Sequence, residues 1–177
     1  MRDLDITWSV MSLAVLNEHN EVPPEYAEAM KAAWGPVRVC IAAREQFGDV
    51  VLGPLYTALG TRLHVEARTD YPRIITESVA DAGLPPELAA AAEDPSYDAA
   101  LRASHQRAID LVGSEVGTPV IAVPGADGAP VAFFGPVVTP APMGDDALKL
   151  WDGALLVAGT PGFYELKRSR TVGPEFD

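Results

Sequence analysis

One cysteine, Cys40, is all that 177 residues contain, which excludes an internal disulfide framework and any multi-cysteine metal site. Basic residues are scarce too: 13 Lys and Arg against 25 Asp and Glu give a formal net charge of −12. Such a surface repels phosphate backbones and anionic bilayers, so neither nucleic acid nor membrane is expected as a partner. No apolar run approaches the ~20 residues of a membrane span. The first residues alternate acidic with apolar side chains and lack the basic and apolar regions of a signal peptide, so a cytoplasmic location is expected. The three histidines, His19, His64 and His105, stand far apart with no carboxylate or cysteine at ligand spacing, and no metal site is expected. G-x-S-x-G, P-loop and G-x-G-x-x-G motifs are all missing, which removes the usual sequence warrants for a hydrolase or a nucleotide-binding protein.

What is present is ordinary globular material, 48% apolar and 21% charged, in a length that suits a single domain over residues 1–177. Leu4, Ile6, Trp8 and Val10 alternate with polar residues, a period of two that predicts a strand. A polar loop, 17–21, follows. Pro23 and Pro24 open a block, about 23–113, that reads as helical throughout. Pro24 to Trp34 forms its first helix, broken at Gly35-Pro36, and Val37, Cys40 and Ile41 stripe the next. Leu52, Leu55, Tyr56, Leu59 and Leu63 fall on one inward face. Ile74, Ile75, Ser78, Val79 and Ala82 form a fourth stripe, ended by Gly83. An Ala-rich turn, 87–92, leads to a helix capped by Asp94 or Ser96 and buried through Tyr97, Leu101, Ala108, Ile109 and Val112.

Two apolar runs follow, Val116 to Val123 and Pro130 to Pro136, separated by the turn-forming Pro124-Gly-Ala-Asp-Gly-Ala-Pro130, and predict an antiparallel hairpin. Thr118-Pro119 introduces the first of them. Proline cannot donate to a ladder, so it suits the head of a strand; by local sequence alone the bond is trans, as nearly all X-Pro bonds are. A last helix carries Leu148, Trp151 and Leu155 inward with Asp145 and Asp146 at its start. Phe163 to Arg168 reads as a final helical turn. Strand, helical block, hairpin and helix make an α/β (α+β) chain.

Few residues suggest chemistry unaided. Cys40 sits in an apolar helical stretch, where a thiol behaves as a small hydrophobe. His64 reads either as a pocket-lining residue beside Thr57 and Thr61 or as an exposed cation at a helix end. Asn17 reads as a turn residue and Tyr26 as an amphipathic anchor at a helix start.

Taken together, Met11 to Glu18, Ala33-Trp-Gly-Pro-Val-Arg-Val39, Gly53-Pro-Leu-Tyr-Thr-Ala-Leu-Gly-Thr-Arg-Leu-His64, Val116-Gly-Thr-Pro119, Val131-Ala-Phe-Phe-Gly-Pro136, Glu165 to Arg168 and Glu175-Phe-Asp177 resemble the actinobacterial DsbA-like thioredoxin-fold oxidoreductases, in particular the mycothiol-dependent nitroreductase group. The resemblance implies a thioredoxin core with a helical insertion at about 23–113, Pro119 as the fold's cis-proline, and Thr118 beside the reactive sulfur. It also implies that Asn17, Tyr26 and His64 line the substrate pocket, that no cofactor is resident, and that mycothiol is the thiol co-substrate. In that chemistry the first thiol of a Cys-x-x-Cys attacks, the second resolves, and Thr118-Pro119 positions the substrate.

This chain has no Cys-x-x-Cys and no counterpart of the family's first strand, and Cys40 falls in the helical block. Three resolutions stay open: an upstream strand and dithiol beyond a misassigned start, exchange of strands with a second copy to give a homodimer, or direct pairing of Leu4–Val10 with Val120–Val123. The expected function is thiol-dependent reduction of small electrophilic or disulfide substrates, inactive in this form. The alternative is a redox-dead thioredoxin-like binding module.

Overall fold

A computed structural model describes residues 3–21, 23–125 and 128–175; Met1, Arg2, Val22, the loop residues Ala126 and Asp127, and the terminal Phe176 and Asp177 lie outside the described residues. It is an α+β arrangement, mostly helical, with one small antiparallel sheet. The chain divides into two compact units, Ile6–Asp110, and Met1–Asp5 with Leu111–Asp177.

The helical unit opens with α1 (Leu13–Leu16), a single turn whose Ser12 accepts from the Val15 N–H at 3.2 Å. Then come α2 (Pro24–Ala32), α3 (Trp34–Phe47), α4 (Leu52–Gly60), α5 (Tyr71–Asp81) and α6 (Asp98–Val112), the last running past the unit's end. Its centre is largely apolar: Val39 and Ile41 of α3, Leu55 of α4, Ile74 and Val79 of α5 and Leu101 of α6 are all fully buried. Gly83, at φ +69°, closes α5 as a glycine should. The Leu84 N–H reaches back to the Val79 carbonyl, the Gly83 N–H to that of Ala80, and Leu84 turns into the core.

Several expected features are corrected here. Residues 3–12 form no strand and no ladder with the hairpin; the sheet among the described residues has two strands. A period of two specifies a strand only where a neighbour takes up its backbone groups. Without one, Leu4, Ile6 and Trp8 stay exposed while Val10 alone is buried. The break after α2 falls at Ala33 rather than at Gly35-Pro36, because Pro36 lies in the first turn of α3, where a missing N–H is harmless. Tyr56 is exposed instead of inward; its ring stacks on Trp8, centroids 5.2 Å apart and tilted by 31°.

After Gly60 the backbone widens into a π-helical turn, Thr61–Val65, which shifts the phase of the stripe before Leu63. The Ala-rich turn is a 3-10 segment, Pro86–Glu93, packed along α3. Asp94 caps the next 3-10 turn, Pro95–Tyr97, rather than α6 itself. The buried face of α6 is Leu101, Ser104 and His105, with Ala108 and Ile109 only half-buried.

Charged side chains tie these helices together. Arg38 of α3 holds Asp98 of α6 through Nε (2.6 Å) and Nη2 (2.9 Å) and donates to the Ala92 carbonyl. Arg102 grips Glu18 at 2.6 and 2.7 Å, and the guanidiniums of Arg38 and Arg102 both sit against the Trp34 ring. Glu77 of α5 accepts from Arg68 (2.6 Å), Arg73 (2.7 Å) and Arg62 (3.2 Å), the last also bound to Asp81.

In the other unit, β1 (Val120–Pro124) and β2 (Pro130–Phe134) pair antiparallel with Val120 opposite Phe134 and Pro124 opposite Pro130, the hairpin expected. α7 (Gly144–Ala158) packs on β2 and carries Asp145 and Asp146 in its first turn, but none of its residues is fully buried. Phe163 to Arg168 is not helical; Tyr164 and Leu166 are almost wholly exposed, and one turn without packing does not hold. No helix of the described residues is long and apolar enough to cross a membrane.

Candidate functional site

Thr118 and Pro119 stand at the head of β1, both exposed. Their peptide bond is cis, as are Gly135–Pro136 and Thr139–Pro140. Hairpin register fixes the spot: Val120 faces Phe134, and the Gly135 N–H donates to the Pro119 carbonyl at 2.8 Å. Among the described residues no hydrogen bond takes the N–H or C=O of Thr118. Its backbone is therefore available to an extended ligand, which would add to the sheet by main-chain pairing. Beside it the Phe134 ring lies on bare backbone, since a Cβ at Gly117 would stand 3.3 Å from Phe134 Cε2. Sequence reading passed over this pair, whose only signal was a glycine just before the Thr-Pro step.

The other three candidates belong to the helical unit. Asn17 ends α1, and its amide is spent locally, donating to the Leu13 carbonyl (2.9 Å) and accepting from Asn20 (3.1 Å). Tyr26 lies exposed on α2, which packs on α1. His64 is exposed in the π-helical turn; the hydroxyls of Thr57 and Thr61 both donate to carbonyls of their own helix. Asn17 and Tyr26 thus share neighbouring elements, while His64 sits on a third.

Cys40 is buried in α3, and burial pushes its thiol up to about 12. A group held neutral so far above the working pH supplies no thiolate. Among the described residues no three His, Cys, Asp or Glu side chains gather to hold a metal.

A concavity in the helical unit was not anticipated. A cleft of about 380 Å³ opens between the start of α3, the start of α5 and the 3-10 segment, with Lys31, Trp34, Arg38, Tyr71 and Glu93 among its lining. Its residues come from three separate parts of the chain, so no local motif announces it.

Residues 1–168 match the model of the Rv2466c-like family, described as mycothiol-dependent nitroreductase Rv2466c. A relative from Mycobacterium tuberculosis (strain ATCC 25618 / H37Rv), the uncharacterized protein Rv2286c, is 28% identical over 170 residues, which span 95% of this chain and 70% of the relative.

Proposed function

From its membership of the Rv2466c-like, mycothiol-dependent nitroreductase family, we propose that the chain serves mycothiol-dependent reduction of small electrophilic or disulfide substrates in the cytoplasm, by thiol–disulfide exchange of the DsbA-like type. The match over residues 1–168 carries this reading. In it, Pro119 is the cis-proline of a thioredoxin-like core, and the unpaired backbone of Thr118 aligns the substrate or the mixed disulfide. Asn17, Tyr26 and His64 are further substrate-contacting residues in this reading. The attacking and resolving thiols are not in these 177 residues, since the single cysteine is Cys40, buried and held neutral. This chain therefore supplies the binding wall and no dithiol turnover of its own.

The burial of Cys40 equally favours the second reading, a redox-dead thioredoxin-like module that binds an extended peptide or thiol along the head of β1. Two measurements on the 177-residue chain separate them. With mycothiol and a nitroaromatic probe, no thiol-dependent loss of the nitro absorbance is expected from the native chain or from Cys40→Ser; turnover that disappears in Cys40→Ser refutes the inactive assignment. Mycothiol disulfide should shift the amide resonances of Thr118 and Val120 saturably. A peptide that shifts them while mycothiol disulfide does not would leave the binding module as the better account.

A further inference from the structure

Six of the Lys and Arg residues in the helical unit meet a carboxylate: Lys31, Arg38, Arg62, Arg68, Arg73 and Arg102. The other two, Arg44 of α3 and Arg107 of α6, form no ion pair among the described residues. Both reach one uncharged group instead, the Ser104 hydroxyl, which accepts from Arg44 Nη1 at 3.2 Å and from Arg107 Nη2 at 3.0 Å. Two guanidiniums therefore stand together over a serine that is 1% exposed, in a protein of net charge −12. Like charges so placed repel, and a hydroxyl offsets neither.

A second link between the same two helices shows what this one lacks. Arg38 of α3 reaches Asp98 of α6, a partner sixty residues on, and Arg44 reaches Ser104 across the same separation. The two links are alike except in the acceptor: the first meets a carboxylate, the second a serine with an added arginine. Neighbouring acids do not make up the difference. Asp110, one turn beyond Arg107, accepts from Gln106 Nε2 at 2.8 Å, and neither it nor Glu45 forms an ion pair. Arg44 lies in the last turn of α3, where the helix dipole offers roughly half a negative charge against two positive ones.

We infer that Arg44 and Arg107 form an anion site for a phosphate group, free or carried by a small phosphomonoester, which takes the place that the Asp98 carboxylate holds at the first link. Each guanidinium has five N–H donors. Arg44 spends one of them on Ser104, and Arg107 spends one there and another on the Ala103 carbonyl at 3.5 Å. The donors left over come from two different helices, which suits an anion with oxygens on several sides. A monocarboxylate would offset one charge of the two, and a neutral ligand neither. Arg107 is exposed and Arg44 half-buried, so the pair is open to solvent while Ser104 fixes it from below.

The test uses the whole 177-residue chain, uniformly labelled, titrated at constant ionic strength with inorganic phosphate, phenyl phosphate and acetate. Phosphate should shift the Nε–H resonances of Arg44 and Arg107 saturably, at least about tenfold more tightly than acetate. Arg107→Gln, a change at an exposed position, should weaken phosphate about tenfold, while Lys31→Gln leaves it unaltered. Ser104→Asp gives the second link the carboxylate of the first and should abolish the phosphate shifts, with circular dichroism showing that the helices persist; if that variant does not fold, Arg107→Gln decides alone. Phenyl phosphate binding more tightly than the free ion makes the source a phosphomonoester, and otherwise it is the ion itself; both outcomes uphold the site. No saturable shift, phosphate no tighter than acetate, or phosphate affinity indifferent to Arg107→Gln would each overturn it.

Discussion

Trp8 lies against α4 where Gly53 leaves the backbone bare. A Cβ at residue 53 would stand 2.9 Å from Trp8 Nε1 and 3.3 Å from Cδ1. Non-bonded heavy atoms settle at ~3.5–4.0 Å, so Gly53→Ala forces the indole outward and away from Tyr56, its stacking partner at 5.2 Å. An aromatic pair of this kind contributes ~0.5–1.5 kcal/mol beyond its buried area. Trp8 is 39% exposed; somewhat over half of a ~200 Å² side chain at ~25 cal/mol per Å² sets a ceiling of about 3 kcal/mol on what its docking contributes.

Two further effects of the substitution act at residue 53 alone: alanine favours the helix by at most about 1 kcal/mol, and before Pro54 it resists the helical backbone region. Neither depends on Trp8, so a double-mutant cycle of Gly53→Ala and Trp8→Ala cancels both. Urea denaturation followed by circular dichroism should give Gly53→Ala a loss of roughly 1–2 kcal/mol with Trp8 present and a value within about 1 kcal/mol of zero without it. A coupling energy below about 0.5 kcal/mol would refute the reasoning, because the indole would then owe nothing to the bare backbone.

Acid should weaken the fold in two separate ranges. His105 is buried with Nδ1 unpartnered, and burial first, then the Arg102 charge, lowers its pKa. The unfolded chain therefore takes up this proton first, and stability falls as pH drops below about 6.5 towards the folded value. The urea midpoint should decrease between about pH 7 and pH 5.5, and His105→Leu should flatten that decrease. Glu77 acts lower, since its three arginines, Arg68 foremost, hold it at about 2; its contribution is present above the ordinary value of 4.5 and goes as pH falls through the folded one. Iodoacetamide should alkylate Cys40 only as fast as the chain opens, and labelling of the folded protein at the rate of a free thiol would contradict its burial. Asp98→Asn should lower stability by about 1–3 kcal/mol, because it strands a guanidinium whose side chain is only 17% exposed; an unchanged urea midpoint would count against this.

The helices and the hairpin were legible because periodicity and punctuation agreed: the α5 stripe ends at Gly83, and turn residues separate β1 from β2. The opening strand was misread for a reason periodicity cannot see. Leu4, Ile6 and Trp8 alternate as a strand would, but alternation says nothing about whether a neighbouring strand is there to pair. The site was only partly legible. Thr118 and Pro119 stood out because proline restricts what its backbone can do, whereas the cleft draws Lys31, Arg38, Tyr71 and Glu93 from segments that no spacing rule connects. The burial of His105 was not legible, because a histidine on an apolar face leaves no pattern that separates it from a surface residue.

Glu77 gives the join between α5 and the π-helical turn the topology of a hub, in which three spokes meet at one node. Loss of a spoke leaves two attachments standing. Loss of the node does more than remove three bonds: it leaves Arg62, Arg68 and Arg73 crowded about a vacated centre with Asp81 and Glu66 as their remaining counter-charges, so attraction gives way to mutual repulsion. Tolerance to substitution should accordingly be lopsided, with each arginine replaceable on its own and the carboxylate not, and the turn that presents His64 should be the first part of the helical unit to loosen when it goes.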